Sequence, residues 1–248
     1  MGDYASPGCR LILTAVISTE IFPPRVIDPD LAEAGRRLFA RDARFVAGAS
    51  ETSTLPGDAL PEIAFAGRSN VGKSSLLNAL TGRRTLARIS NTPGRTRQIN
   101  FFDLGGRIML VDLPGYGYAE APKTEIRRWT ALLRGYLRTR TTLRRVCLLI
   151  DSRRGIKEID RLLMRMLDDS GVSFQVVLTK TDKAGAGELA RVAELTVAEL
   201  AAHAAAHPEI HLTSAVKRHG IAALRATLGS LALADRAPSA VVLPAPAQ

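Results

Sequence analysis

The stretch Gly67-Arg68-Ser69-Asn70-Val71-Gly72-Lys73-Ser74 decides the fold of this 248-residue chain. It matches the pattern Gly-x-x-x-x-Gly-Lys-Ser, whose glycines let the backbone wrap phosphate groups with successive N–H groups pointing inward. An apolar run over 63–66 precedes it and a helical pattern over 74–80 follows, which is the context that the pattern requires. The stretch predicts a phosphate-binding loop, in which Lys73 reaches the β- and γ-phosphates and the Ser74 hydroxyl ligates Mg²⁺. We count Ser75 among the nucleotide contacts, beside the helix N-terminus and its partial positive charge.

Outside this loop, apolar runs alternate with helical patterns, and Gly105-Gly106 marks a hairpin. Alternating strands and helices favour a mostly parallel sheet covered on both faces. We therefore predict an α/β protein with the three-layer P-loop NTPase fold: a mostly parallel six-stranded sheet with one antiparallel edge strand and helices on both faces. The predicted strands are 63–66, 98–104, 107–111, 146–150, 174–178 and 210–212, with 44–49 as a further edge candidate. The first predicted helix is capped by Asp28 and ends at Phe39. The other predicted helices cover 74–80, 124–137, 156–167, 188–206 and 221–233.

A second motif, Asp112-Leu113-Pro114-Gly115, follows the strand over 107–111. A carboxylate at the carboxyl end of a strand beside a phosphate loop is typical of a Mg²⁺ site. We predict that Asp112 holds Mg²⁺ through water and that the Gly115 N–H meets the γ-phosphate.

A third motif, Thr179-Lys180-Thr181-Asp182, predicts which base is bound. The Asp182 carboxylate can accept hydrogen bonds from N1–H and the exocyclic amine of guanine, and a buried carboxylate there rejects adenine. The aliphatic part of the Lys180 side chain would lie along the base. Proteins that bind GTP in this way more often have asparagine at the position of Thr179. Backbone N–H groups of Thr213-Ser214-Ala215 would meet the guanine O6.

A switch loop is predicted between the first two motifs, in Asn91-Thr92-Pro93-Gly94-Arg95-Thr96. One hydroxyl here is needed to complete the Mg²⁺ shell, and we choose Thr96, with Thr92 as second choice; Gly94 and Arg95 are further nucleotide contacts. Loss of the γ-phosphate would release the loop and turn hydrolysis into a conformational signal. Catalytic roles thus fall to Lys73, Thr96 and Gly115.

The residue after Gly115 is Tyr116, where small signalling GTPases have a glutamine that orients the attacking water. Tyrosine does not replace that function simply. We therefore predict a slow GTPase whose missing stabilisation comes from a partner or a cation.

These motifs together resemble the EngB family of bacterial GTPases, of the TrmE-Era-EngA-EngB-septin-like class. The resemblance covers roughly residues 40–232 and includes Asn100-Phe101-Phe102, and the run Pro114-Gly115-Tyr116-Gly117-Tyr118 makes it specific. It implies a role in assembly of the large ribosomal subunit, with a link to cell division and septation. It also implies that Asn70 helps to bind K⁺ beside the phosphates.

The charge balance points to a polyanionic partner, since the formal net charge is +10. Residues 126–150 contain no acidic residue but seven arginines, at 127, 128, 134, 138, 140, 144 and 145; further arginines lie at 83, 84, 88, 95 and 97. Such patches favour contact with RNA phosphates. One alternative is a GTP-gated protein-interaction switch in division without RNA contact. A second is a GTPase domain serving tRNA modification, which is disfavoured because we see no additional domain for that chemistry. A third is an ATP-dependent P-loop kinase, which Asp182 disfavours.

The remaining expectations concern the ends of the chain and its environment. We expect an irregular extension over 1–27, a GTP-binding domain over 28–233 and a Pro/Ala-rich disordered tail over 234–248. Two cysteines, Cys9 and Cys147, build no disulfide framework, which fits a reducing cytoplasm. We expect a monomer without a membrane partner, and the four histidines at helix ends or facing solvent rather than on a metal.

Overall fold

The computed structural model describes residues 27–83, 86, 98–117 and 123–233. Six α-helices and seven β-strands make up this part of the chain. The strands are β1 Ala43–Ala49, β2 Glu62–Gly67, β3 Ile99–Leu104, β4 Ile108–Asp112, β5 Leu143–Asp151, β6 Phe174–Thr179 and β7 His211–Leu212. The helices are α1 Pro29–Phe39, α2 Lys73–Thr81, α3 Lys123–Thr139, α4 Glu158–Asp169, α5 Ala186–Leu200 and α6 Ile221–Leu233.

The strands form one sheet in the order β1-β3-β4-β2-β5-β6-β7. Strands β4, β2, β5, β6 and β7 run parallel, while β3 is antiparallel to both of its neighbours, β1 and β4. The sheet therefore has seven strands rather than the predicted six. The additional strand is β1, which pairs with β3 from Ala43–Leu104 to Ala49–Ile99 and covers an edge that would otherwise leave backbone groups unpaired.

Two hydrophobic layers flank the sheet, as the predicted three-layer fold requires. One layer joins the sheet to α1, α2 and α6, with Phe39, Leu77 and Leu224 among its buried residues. The other joins it to α3, α4 and α5, with Leu133 and Met164 among its buried residues. None of the helices that the structure describes is long and apolar enough to cross a membrane.

The alanine-rich helix α5 ends at Leu200, six residues before the predicted end at Ala206. Strand pairing overrides helix propensity here, because the Phe174 N–H donates to the Ala205 carbonyl at 3.0 Å. His203 lies in the resulting turn and is buried, with its Nδ1 2.6 Å from an Asp168 carboxylate oxygen. The expectation that histidines lie at helix ends or face solvent is met for His203, which follows the end of α5, but is wrong for His211, which is buried in β7.

A buried ion pair lies at the amino end of β2, opposite the end that carries the motifs. The Arg140 guanidinium pairs with the Glu62 carboxylate, and both side chains are almost fully buried. The Tyr136 hydroxyl donates to the same carboxylate at 2.8 Å. These contacts fasten the end of α3 to the start of the central strand.

Candidate functional site

Three strand ends bring the predicted motifs together at one edge of the sheet. Gly67 ends β2, Asp112 ends β4 and Thr179 ends β6. Because β2 pairs with β4 on one side and reaches β6 through β5 on the other, the three carboxyl ends are close neighbours. This is the edge at which open parallel sheets bind their ligands.

The phosphate loop turns sharply between β2 and α2. Asn70 has φ 62° and Gly72 has φ 109°, both in the left-handed region, and the Val71 N–H between them donates to the Arg68 carbonyl at 3.1 Å. Alternating right- and left-handed residues make the concave backbone arrangement that binds anions. Helix α2 begins directly after the loop, at Lys73. The geometry fits phosphate groups at a helix N-terminus.

Lys73 and Asp112 form an ion pair beside this loop. Their side chains are only 13% and 3% exposed. A buried pair keeps both charges compensated, and phosphate oxygens would give Lys73 an alternative partner. Ser74 is half-buried in the first turn of α2, and Ser75 is exposed.

The Ser74 hydroxyl and the Asp112 carboxylate are hard oxygen ligands of the kind that Mg²⁺ prefers. Sites for Mg²⁺ in nucleotide-binding proteins use one or two protein oxygens and complete the shell with phosphates and water. Both residues sit beside the phosphate loop, one at the start of α2 and the other at the end of β4. The residues present therefore fit a Mg²⁺ site.

The Asp-x-x-Gly motif runs from β4 onto the phosphate loop. The Leu113 N–H donates to the Phe65 carbonyl at 3.0 Å, and Leu113 and Pro114 are buried. Gly115 lies against Ser69 so closely that a Cβ at this position would be 3.2 Å from the Ser69 Oγ. The Gly115 backbone is therefore a direct neighbour of the phosphate loop.

Tyr116 is anchored in the core between α3 and α4. It is 3% exposed, its ring packs against Trp129 at 5.8 Å between centroids, and its hydroxyl donates to an Asp160 oxygen at 2.8 Å. Burial, followed by the charge of Asp160, raises the Tyr116 pKa well above its ordinary value. A side chain held in this way is not free to orient water, which agrees with the sequence interpretation.

Thr179 and Lys180 fasten the end of β6 to the phosphate loop. The Thr179 hydroxyl donates to the Val71 carbonyl at 2.7 Å and lies 3.3 Å from the Ile150 carbonyl. The Lys180 ammonium donates to the Asn70 carbonyl at 2.5 Å. Threonine in place of asparagine therefore still links the third motif to the first.

Asp182 follows this link, and its side chain is exposed rather than buried as the sequence suggested. A hydrogen bond from the Ser214 side chain holds the pKa of this carboxyl below its usual range. The Thr181 N–H donates to the Thr213 carbonyl at 3.2 Å and brings the two segments together. A base bound at this place would itself have to cover the carboxylate.

The expectation that Thr213, Ser214 and Ala215 all offer N–H groups needs correction. The Thr213 N–H donates to the Leu178 carbonyl at 2.7 Å, and the Ser214 N–H donates to the His219 carbonyl at 3.1 Å. Both groups are used by the fold, since the first continues the pairing of β7 with β6 and the second forms an isolated bridge to His219. Of the three, the Ala215 N–H is the one without a hydrogen bond to another described residue.

Asp151, at the carboxyl end of β5, belongs to this cluster although no motif marked it. It accepts hydrogen bonds from the Arg153 guanidinium at 2.9 and 2.7 Å and from the Lys180 ammonium at 3.0 Å. Burial raises the pKa of the carboxyl, but these hydrogen bonds outweigh it and leave the pKa well below the usual range. Its position after a predicted apolar strand was the one signal available from the sequence.

A cavity of about 210 Å³ opens beside the phosphate loop. Its charged lining consists of four cationic side chains and two carboxylates, from Arg68, Arg153, Arg154, Lys180, Asp151 and Asp160. The Arg68 Nε is buried there without a hydrogen-bond partner in the described part of the chain. The excess of positive charge suits anionic groups.

The switch-loop residues Thr92, Gly94, Arg95 and Thr96 lie outside the described residues, as do Arg84, Arg88 and Arg97. Among the arginines of 126–150, five are exposed: Arg127, Arg128, Arg134, Arg138 and Arg144. Arg140 is not available to a partner, because it is the buried partner of Glu62. Arg145 is half-buried and donates to Gln175 at 3.0 Å.

Known proteins resemble this chain in sequence and in fold. Residues 62–180 match the family model described as "50S ribosome-binding GTPase". A "Probable GTP-binding protein EngB" from Rhodospirillum rubrum is 60% identical over 205 residues, covering 81% of this chain and 89% of its own. The protein of that name from Ruegeria pomeroyi is 54% identical, covering 84% and 97%. A solved structure titled as a probable GTP-binding protein engB is 25% identical with a TM-score of 0.54, covering 69% of this chain and 98% of that one.

A parallel sheet with a phosphate loop, an Asp-x-x-Gly motif and a Thr-Lys-x-Asp motif at one edge defines a P-loop GTPase. The curated relatives narrow this class, because they match most of both chains at 54% and 60% identity. The chain belongs to the EngB family of GTP-binding proteins.

Proposed function

We propose that this GTPase binds GTP with Mg²⁺ and acts as a slow switch in assembly of the large ribosomal subunit. The observation that supports guanine binding is the pair of hydrogen bonds from Thr179 and Lys180 to the phosphate loop. These bonds hold Asp182 at a fixed distance from the place where the phosphates would bind. The ribosomal part is supported by the description of the matching family model, "50S ribosome-binding GTPase".

Each motif takes a defined role in this proposal. Lys73 meets the β- and γ-phosphates, the Gly115 N–H meets the γ-phosphate, and Asp182 accepts from guanine. Ser74, Thr96 and, through water, Asp112 hold Mg²⁺, which neutralises phosphate charge when it is bound. The nucleotide-binding set is Gly67, Arg68, Ser69, Asn70, Val71, Gly72, Lys73, Ser74, Ser75, Gly94, Arg95, Thr96, Asp112, Leu113, Pro114, Gly115, Thr179, Lys180, Thr181, Asp182, Thr213, Ser214 and Ala215.

Hydrolysis is slow because the chain offers no described side chain that positions the attacking water in place of glutamine. Tyr116 stands at that position and is bonded to Asp160 instead. Asn70, whose side chain is exposed on the loop, is our candidate ligand for K⁺. A partner or this cation supplies the stabilisation that an arginine finger supplies in other GTPases.

The partner surface is the exposed face of α3, which we call the arginine face and define as Arg127, Arg128, Arg134 and Arg138. Residues 127, 134 and 138 recur at helical spacing and so share one side of α3. Such a face suits RNA phosphates, which bind arginine without sequence selectivity. We also propose that residues 28–233 form the GTP-binding domain of a cytoplasmic monomer, with a link to division and septation.

Sedimentation with purified large ribosomal subunits tests this proposal. The full chain is mixed with subunits in GDP or in a non-hydrolysable GTP analogue, over a series of salt concentrations. We expect binding that requires the GTP analogue and falls steeply with salt. Absence of binding in both states would overturn the ribosomal role and favour the protein-interaction switch in division.

A further inference from the structure

We propose that Tyr116 and Asp160 form a positioning pair that holds Gly115 against the phosphate loop and so sets how strongly the site distinguishes GTP from GDP. This inference rests on the proposed function, in which the Gly115 N–H meets the γ-phosphate. It assigns to the tyrosine a role unlike that of the glutamine it replaces. Tyr116 touches neither nucleotide nor water in this role, because it acts through the backbone of its neighbour.

The backbone of Tyr116 is bonded directly to the phosphate loop. Its N–H donates to the Gly67 carbonyl at 3.3 Å, and its carbonyl accepts from the Ser69 N–H at 3.0 Å. The Ser69 hydroxyl donates to the same carbonyl at 3.4 Å. Gly115 is the preceding residue, so these bonds fix one end of its peptide unit relative to the loop.

The side chain fixes Tyr116 from the opposite direction. Its hydroxyl donates to one Asp160 oxygen at 2.8 Å, while the other Asp160 oxygen accepts the Lys157 N–H at 2.8 Å, just before α4 begins. Asp160 is fully buried, and Trp129 packs on the tyrosine ring. The pair therefore joins the segment after β4 to a rigid helix start.

Anchoring matters for GTP and GDP to different extents. A contact with the γ-phosphate exists in the GTP state alone. The free energy needed to hold Gly115 in place therefore reduces the binding free energy of GTP and does not affect that of GDP. Without the anchor, Gly115 would become ordered only when GTP binds. The conformational entropy lost in that ordering would lower the affinity for GTP. Contacts with the base and the β-phosphate would be unaffected.

The chain offers a matched control at the opposite end of the sheet. Tyr136 is also fully buried, and its hydroxyl donates to a buried carboxylate, that of Glu62, at the same distance of 2.8 Å. Tyr116→Phe and Tyr136→Phe thus delete the same kind of hydrogen bond. A purely structural role for Tyr116 predicts the same behaviour from both variants.

The test compares the affinities of wild type, Tyr116→Phe, Asp160→Asn and Tyr136→Phe for GDP and for a non-hydrolysable GTP analogue, using the full chain with Mg²⁺. We expect Tyr116→Phe and Asp160→Asn to weaken binding of the analogue about fivefold while GDP affinity stays within about twofold. Tyr136→Phe should lower the melting temperature similarly and leave the ratio of the two affinities at the wild-type value.

An unchanged ratio in Tyr116→Phe, or the same change in Tyr136→Phe, would overturn the positioning role. Failure of the wild type to bind guanine nucleotides would instead overturn the proposed function. As a second readout, single-turnover hydrolysis at saturating GTP should be slower in Tyr116→Phe than in Tyr136→Phe, since a displaced Gly115 also misplaces the γ-phosphate. Equal rates in the two variants would contradict the positioning role.

Discussion

The exposed carboxylate of Asp182 is hydrogen-bonded by Ser214 and is the group to which we assign guanine selectivity in our proposal. Asp182→Asn replaces an acceptor-only group with an amide that presents donors to the donors of guanine. We expect GDP affinity to fall by about 100-fold, since two charge-assisted hydrogen bonds are lost. Xanthosine diphosphate, whose base has a 2-oxo group that accepts a hydrogen bond, should bind the variant better than GDP does.

The control for this prediction is Asp169→Asn, which removes the same charge from an exposed position at the end of α4. Nucleotide titration should give wild-type affinities for this control. If Asp182→Asn retained the wild-type GDP affinity, a group other than Asp182 would have to recognise the guanine base.

The buried hydroxyl of Thr179 joins β6 to the phosphate loop through the Val71 carbonyl. Thr179→Val keeps the shape and deletes this bond, at a cost of about 1–2 kcal/mol of stability. In the proposed function the loop binds phosphates common to both nucleotides, so we expect GTP and GDP affinities to fall together, about fivefold. Thr196→Val, which removes a buried hydroxyl bonded to the Val192 carbonyl in α5, should leave both affinities unchanged. Similar affinity losses in the two variants would refute the link.

The site residues that the sequence predicted well are those read from short, contiguous patterns. The phosphate loop could be predicted because wrapping a phosphate constrains neighbouring residues. Asp160 and Asp151 could not, since their partners Tyr116 and Lys180 lie 44 and 29 residues away along the chain. A pair brought together only by packing leaves no local pattern.

The joint between β2 and α3 depends on the buried pair of Glu62 and Arg140. Glu62→Gln removes the more deeply buried of the two carboxylates that pair with Arg140 and leaves Asp58 as the remaining charge partner. We therefore expect a loss of about 2 kcal/mol, below the cost of a buried charge left with no partner. Urea unfolding should register this loss, while the ratio of GTP to GDP affinity should stay at the wild-type value because the joint is at the far end of the sheet. Arg165→Gln removes an exposed, solvent-screened pair with Glu158 and should change the stability far less than Glu62→Gln does. Equal losses in both variants would show that Glu62 is not the critical partner.

Helices and strands were predictable where the hydrophobic periodicity agrees with the packing. Predictions of their number and bounds failed where pairing between segments distant in the sequence determines the structure. Helix α6 has the predicted bounds, and α1 begins at the predicted Asp28 cap, whose carboxylate accepts the Asp30 and Leu31 N–H groups. Strand β1, for which the sequence offered 44–49 only as an edge candidate outside the predicted six strands, depends on pairing with β3, and the early end of α5 depends on pairing with Phe174. Register across a sheet is a tertiary property that a local pattern does not contain.

At the scale of the molecule, the arginine face lies on helix α3, which contributes no residue to the proposed nucleotide-binding set, so RNA contact can be tested without changing that set. Removing Arg127, Arg134 and Arg138 together should weaken binding to large subunits and reduce the slope of log affinity against log salt by about two units. The control removes Arg37, Arg41 and Arg107, which are exposed on and near α1, across the sheet from α3. A slope that changes equally in both triple variants would indicate general charge attraction rather than a defined face.

The turnover of GTP by the isolated full-length chain, with and without purified large ribosomal subunits, tests the switch most directly. With Tyr116 bonded to Asp160, we predict turnover on the order of 10⁻³ s⁻¹ alone, a marked increase with subunits or K⁺, and no turnover of ATP. Turnover near 1 s⁻¹ by the isolated protein, or equal use of ATP, would contradict a slow, guanine-selective switch.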